Sequence, residues 1–164
     1  MVTETFAYCF NLESIYAPSC QYFWSRTFLY CYKLSIASFS LCTYIGTSAF
    51  AMCSSITAAS FPLVSMIGGQ AFAGCTLLST VYFTSCRTIY SSAFQNCYNL
   101  LSLYLLNSSI CGLTHSNAFE NTPIAGETTS TSGVYGSIFV PASLYATYIA
   151  STNWVYYSSR FVSV

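Results

Sequence analysis

The sequence predicts a β-rich solenoid of about five 22-residue turns with parallel strands, closed by a small C-terminal cap that contains a short helix. Three observations predict it. Phe recurs at positions 6, 28, 50, 72 and 94; Cys recurs at 9, 31, 53, 75 and 97; Leu or Ile recurs at 12, 34, 56, 78 and 100. A fixed period of this length marks a chain built from stacked repeats, because one short turn cannot bury its own apolar residues and must cover them with its neighbours. Parallel pairing between turns spaces them about 4.8 Å apart, so like residues form ladders along the axis. The expected structural ladders are therefore Phe28, Phe50, Phe72 and Phe94 beside Cys31, Cys53, Cys75 and Cys97.

A second layer repeats at half the period. Cys20, Cys42 and Cys86 follow the first cysteines by 11 residues, Val64 fills the remaining slot, and Phe39, Phe61 and Phe83 fall midway between the first phenylalanines. Alternation over Val81-Tyr82-Phe83 and Ala59-Ser60-Phe61 has the period of two that belongs to a strand. Neither half carries the uninterrupted 3.6-residue stripe of a long helix.

The remaining elements follow in chain order. Residues 1–125 read as the solenoid, its last turn irregular over 107–125, where the period stretches to 25 and Thr122 stands where Cys is expected. Residues 126–137 are rich in Ser, Thr and Gly and read as an exposed loop. Residues 138–164 read as the capping segment. Pro141 suits the start of a helix over 142–150, since its missing N–H is one that a helix leaves unpaired anyway. Leu144, Tyr148 and Trp154 are then expected to cover the last turn, shielding ladder residues and strand edges.

Composition narrows the function. Of 164 residues, 54% are hydrophobic, 18% aromatic and only 5% charged, with no Asp, one His and a formal net charge of zero. A nucleic-acid partner is excluded in expectation, because phosphate affinity is built from many cations. No apolar run exceeds five residues, so no transmembrane segment is expected. The N-terminus has neither the basic nor the apolar region of a secretory signal.

Ile45-Gly46-Thr47-Ser48-Ala49-Phe50-x-x-Cys53-x-x-Ile56 and Ile67-Gly68-Gly69-Gln70-Ala71-Phe72-x-x-Cys75-x-x-Leu78 resemble the repeats of the BspA-like bacterial leucine-rich repeat proteins. Ile138-Phe139-Val140-Pro141 through Trp154 is similar to a closing segment of that family. The resemblance implies a right-handed leucine-rich repeat coil. It also implies an extracellular or cell-surface protein, secreted or displayed by a bacterium, used for adhesion or recognition of a host or neighbouring-cell protein or glycan through the solenoid face. A structural spacer or stalk within a larger surface protein is the alternative. Val2-Thr3-Glu4-Thr5 replaces the Ile-Gly-x-x-Ala start, so the first turn opens midway. The expectation is a longer polypeptide with further turns or a cap upstream and with its signal and anchor outside this chain.

The titratable residues suggest no enzyme and no cofactor. His115 has no Cys, Ser or Asp at a recognised spacing and reads as a loop histidine. Four scattered glutamates make no acid pair, and Lys33 belongs to no Gly-rich phosphate loop. Nine cysteines without C-x2-C disfavour zinc. Stacked cysteines lie within bridging distance, but parallel Cβ vectors suit a disulfide poorly, so buried thiols packed as small hydrophobes are expected. Val64 in a cysteine slot agrees, and Cys111, off the ladder by count, is the exception most open to another role. Tyr16, Tyr82 and Tyr104 share one slot, one residue before an inward residue, with Ser38 and Ser60 between them. That parity turns them outward and makes them the candidate ligand-binding residues, since tyrosine combines rigid area with a polar tip.

Overall fold

In the computed structural model, the described residues are 3–126 and 134–164. Met1, Val2 and residues 127–133, most of the expected loop, lie outside them, as do the side chains of Ala37 and Ser38. The described strands are β1 (Tyr22–Phe23), β2 (Ala37–Ser38), β3 (Tyr44–Ile45), β4 (Ala58–Ser60), β5 (Met66–Ile67), β6 (Thr80–Phe83), β7 (Thr88–Ile89), β8 (Ser102–Leu105), β9 (Gly112–Leu113), β10 (Ser137–Val140) and β11 (Phe161–Ser163). Among the described residues one α-helix, α1 (Tyr145–Ala150), follows a 3-10 turn at Ala142–Leu144.

The strands form two parallel sheets, ordered β1-β3-β5-β7-β9 and β11-β10-β8-β6-β4-β2. Each turn from the second onward thus contributes one strand to each sheet, and the first contributes only β1. Tyr22 pairs with Tyr44, Tyr44 with Met66 and Met66 with Thr88, which holds the 22-residue period rung by rung. The next rung is Thr88 to Gly112, so the stretched turn lengthens this register to 24. In the other sheet the pairing jumps from Ser102 to Ser137, and the cap extends the sheet by two strands.

A third column of hydrogen bonds joins the turns at the phenylalanine corner. The amides of Phe28, Phe50 and Phe72 donate to the carbonyls of Ala49, Ala71 and Ala93 at 2.7, 2.8 and 2.8 Å. Holding that corner requires left-handed backbone twice per turn. Glu4, Arg26, Ser48, Gln70 and Ser92 have φ of 54–61°, and Tyr8, Tyr30, Met52, Gly74 and Asn96 have φ of 61–72°. Non-glycine residues adopt this region at a cost of about 1–2 kcal/mol each, which the inter-turn bonds offset. The Ile-Gly element answers a different constraint: a Cβ on Gly68 would sit 2.6 Å from the backbone of Gly46 and Thr47, so successive turns touch main chain to main chain here.

The core is a set of ladders. Phe28, Phe50, Phe72 and Phe94 are fully buried, with successive rings 5.1–5.4 Å apart, and Phe119 continues the stack 5.4 Å beyond Phe94. Such aromatic pairs add about 0.5–1.5 kcal/mol each beyond the area they bury. Cys31, Cys53, Cys75 and Cys97 are equally buried beside them, whereas Phe6 is half-buried and Cys9 exposed in the first turn.

The cap ends the phenylalanine stack. Trp154 and Tyr157 lie 5.9 and 5.4 Å from Phe119, and Tyr148 and Phe161 pack behind Trp154. Tyr148 and Trp154 are fully buried, while Leu144 is only partly so. Pro141 stands at the capping position with ψ of 139°, one step ahead of the helical residues. Cys111 is not off the ladder. Its sulfur lies 3.6 Å from that of Cys86, although the 24-residue register sets its backbone opposite Arg87.

Candidate binding face

The outward side of the six-stranded sheet is built by strand parity. In β6 and β8, Val81, Phe83, Leu103 and Leu105 point into the core, which turns Tyr82 and Tyr104 outward. The register pairs Ser60 with Tyr82, Tyr82 with Tyr104 and Tyr104 with Phe139. In-register rungs of a parallel sheet hold rings face to face. The Tyr82 and Tyr104 rings are 4.3 Å apart at 9°, and those of Tyr104 and Phe139 are 4.4 Å apart at 11°. Val162 continues the row at the sheet edge, opposite Phe139.

Two of the three sequence-predicted tyrosines are therefore brought together, and Tyr16 is not. It lies outside any strand, 91% exposed, with Ser38 and Ser60 between its slot and Tyr82. Phe139 is the member that sequence reasoning missed. Its signal was present in the alternation of Ser137-Ile138-Phe139-Val140, but the repeat count could not place that strand beside β8 across 35 residues.

Stacking defines what the row offers. Rings stacked along the axis present their edges and hydroxyls to solvent, while their faces are taken by one another. Desolvation, then the hydrogen bond and charge of Tyr104, push the Tyr82 phenol above its ordinary value, so it remains a neutral donor and acceptor at physiological pH.

Two further exposed aromatic groups lie on the early turns. Tyr22 stacks on Trp24 at 5.9 Å, with Tyr44 5.5 Å from Trp24. Tyr8 stacks on Tyr30 at 5.4 Å and Phe10 on Tyr32 at 5.6 Å. Their 22-residue spacing was legible, although their exposure was not.

The thiols are hydrogen-bonded rather than merely packed. Cys31, Cys53, Cys75 and Cys97 each donate to the carbonyl 25 residues earlier, that of Phe6, Phe28, Phe50 and Phe72, at 3.0–3.2 Å. Desolvation pushes Cys31 up to about 11 and Cys42 up to about 12, and raises Cys53, Cys75 and Cys97 further. Thiols so held are poor nucleophiles, because the thiolate is the reactive form. His115 is exposed, and its Nδ1 accepts the amide of Asn117 at the start of a 3-10 turn, Ser116–Phe119. Thr122, in the last cysteine slot, donates to the Phe119 carbonyl at 2.6 Å instead of reaching the preceding turn.

Among the described residues no group of three or more His, Cys, Asp or Glu could hold a metal ion, and no helix is long and apolar enough to cross a membrane. No curated protein matches the chain. The BspA type leucine rich repeat region matches residues 2–125 in six copies. With the ladders, the paired registers and this match covering most of its length, the chain belongs to the BspA-type leucine-rich repeat family.

Proposed function

We propose that this chain is a non-enzymatic recognition module, secreted or held at a cell surface, that binds a host or neighbouring-cell protein through the outer face of its six-stranded sheet. The observation that carries the reading is the continuous row Tyr82, Tyr104 and Phe139, held in register on a rigid sheet. Rigid aromatics with polar tips suit recognition because little side-chain entropy is lost on binding. The family supports it too, being typically surface-associated and non-enzymatic. Between protein and glycan, the geometry favours protein. A sugar ring docks on an open aromatic face, and here both faces of Tyr104 and one face each of Tyr82 and Phe139 are occupied by neighbouring rings, leaving mainly edges and hydroxyls. Tyr16 would extend the same surface at the far end as an isolated contact.

Attachment of the purified chain to host-cell monolayers tests this reading, with the Tyr82→Ser/Tyr104→Ser double variant as comparison. The expected result is loss of attachment by the variant with its fold intact by circular dichroism. Equal attachment by both would favour the alternative, a spacer whose turns only hold another domain away from the surface. Retention on an array of purified glycans, lost in the double variant, would move the ligand class to sugars.

A further inference from the structure

We propose that Cys86 and Cys111 are a disulfide site, the one rung of the cysteine ladders that closes covalently, tying the penultimate turn to the turn beneath the cap.

Three observations carry this. The first is direction. Cys20, Cys42 and Cys86 of this ladder each point the thiol at the carbonyl two residues on, whereas the Cys111 thiol, besides the Gly112 carbonyl at 3.7 Å, faces the sulfur of Cys86, 3.6 Å away. The second is register. Thr88 pairs with Gly112, so by backbone count Cys111 lies opposite Arg87, yet its sulfur reaches Cys86. The two side chains therefore converge from offset positions, and the parallel Cβ vectors that oppose bridging between in-register rungs do not apply to them. The third is anchorage. The Cys111 amide donates to the Tyr148 hydroxyl at 2.8 Å, and its carbonyl accepts the Trp154 indole N–H at 2.6 Å. Cys111 is thus the point on which the cap is seated, and a bond there would pin the end of the solenoid.

Both sulfurs are buried in the finished fold, so closure belongs to folding, before Tyr148 and Trp154 cover the pair. The oxidant is a small-molecule disulfide such as oxidised glutathione. The thiolate of one cysteine attacks it, releasing one glutathione thiolate and leaving a mixed disulfide. The second cysteine attacks the protein sulfur of that mixed disulfide and releases the second glutathione. The two thiol protons end on the two glutathione thiols, and the two protein sulfurs supply the two electrons. The reading needs no ligand, so failure of the attachment experiment leaves it standing.

The test refolds the fully reduced chain in a glutathione redox buffer, verifies the fold by circular dichroism, then alkylates under denaturing conditions and maps the peptides. The expected product has lost two hydrogen atoms, carries seven alkylated cysteines of the nine, and yields a linked peptide containing Cys86 and Cys111. Its thermal midpoint falls on reduction. Cys86→Val is the matched variant, because Val64 already occupies the equivalent slot of that ladder and the fold accepts it; it should alkylate at every remaining cysteine and melt independently of reductant. Nine alkylated cysteines in the folded wild-type chain, or a bridge between any other pair, would overturn the proposal.

Discussion

The Cys75 sulfur lies 3.2 Å from the carbonyl oxygen of Phe50, which also accepts the amide of Cys53 at 3.2 Å. One carbonyl thus joins its own turn to the next, and the thiol is the donor that makes the second link. That explains why cysteine, rather than any small apolar residue, occupies this ladder. The other ladder is different: Cys42 donates locally, to the Tyr44 carbonyl at 3.4 Å, and that ladder already contains Val64. Cys75→Val should therefore cost more than Cys42→Val, by up to about 1 kcal/mol, because its bond is the shorter and the one that joins two turns. Urea unfolding of the two variants measures the difference; equal losses would mean that the thiol contributes volume alone.

Two neighbouring left-handed residues predict opposite responses to substitution. Gln70 is exposed with φ of 57°, so Gln70→Gly should relieve backbone strain and change stability by between about zero and +1 kcal/mol, strain relief outweighing the freedom glycine adds to the unfolded chain. Gly74 has φ of 72°, and a Cβ there would run into the Met52 sulfur. Gly74→Ala should lose about 1–2 kcal/mol. Thermal midpoints of the two variants should move in opposite directions, and a common sign would refute the strain argument.

How far the residues announced this arrangement depends on how many chemical solutions each slot admits. The phenylalanine and cysteine slots admit few, because a ring stacked between two rings and a thiol beneath a carbonyl leave little choice of size or polarity, so their period could be read directly. The five-stranded sheet could not be read so easily. Its strands are two residues long, as at Tyr22–Phe23 and Met66–Ile67, too short for alternation to register. Phe139 and Cys111 were misplaced or missed for a related reason. Both lie after the period breaks, where counting by 22 fails and only the pairing of β9 and β10 restores the position. The aromatic row follows the same rule: Tyr82 and Tyr104 fall within the regular turns and were legible, and Phe139 was not.

Buried thiols make stability depend on alkaline pH. Cys31 is pushed up to about 11 and Cys42 to about 12 from an ordinary value of 9.0, desolvation being the main cause in both. Below pH 9 the thiols are protonated in folded and unfolded chains alike, and their contribution is fully present. Above it the unfolded chain releases protons that the folded chain retains, so stability declines through the interval from 9 towards 11 and 12. Urea midpoints should be level between about pH 6 and 8 and should fall by about pH 10, with a smaller fall in Cys42→Val. A flat profile across that interval would contradict the burial of these thiols.

The cap's hold on the last turn rests on Tyr148. In the regular turns the amide of Thr43 or Arg87 donates to the preceding turn, to Gln21 or Ser65. The 24-residue register places Cys111 at the equivalent position, and its amide donates to the Tyr148 hydroxyl instead. The Arg87 carbonyl accepts the Gly112 amide at 2.7 Å, and a side chain from the cap takes the Cys111 amide. Tyr148→Phe keeps the buried ring and removes only that acceptor, leaving the Cys111 amide without a partner in an apolar surround. The expected loss is about 1–3 kcal/mol, the cost of an unsatisfied buried donor. It should be local, because β6 and β8 keep all of their pairing. Hydrogen exchange can separate the outcomes: faster exchange at residues 111–113 and 137–140 with residues 72–83 unchanged supports a cap anchored through Tyr148, whereas uniform acceleration would show that the hydroxyl stabilises the whole solenoid equally.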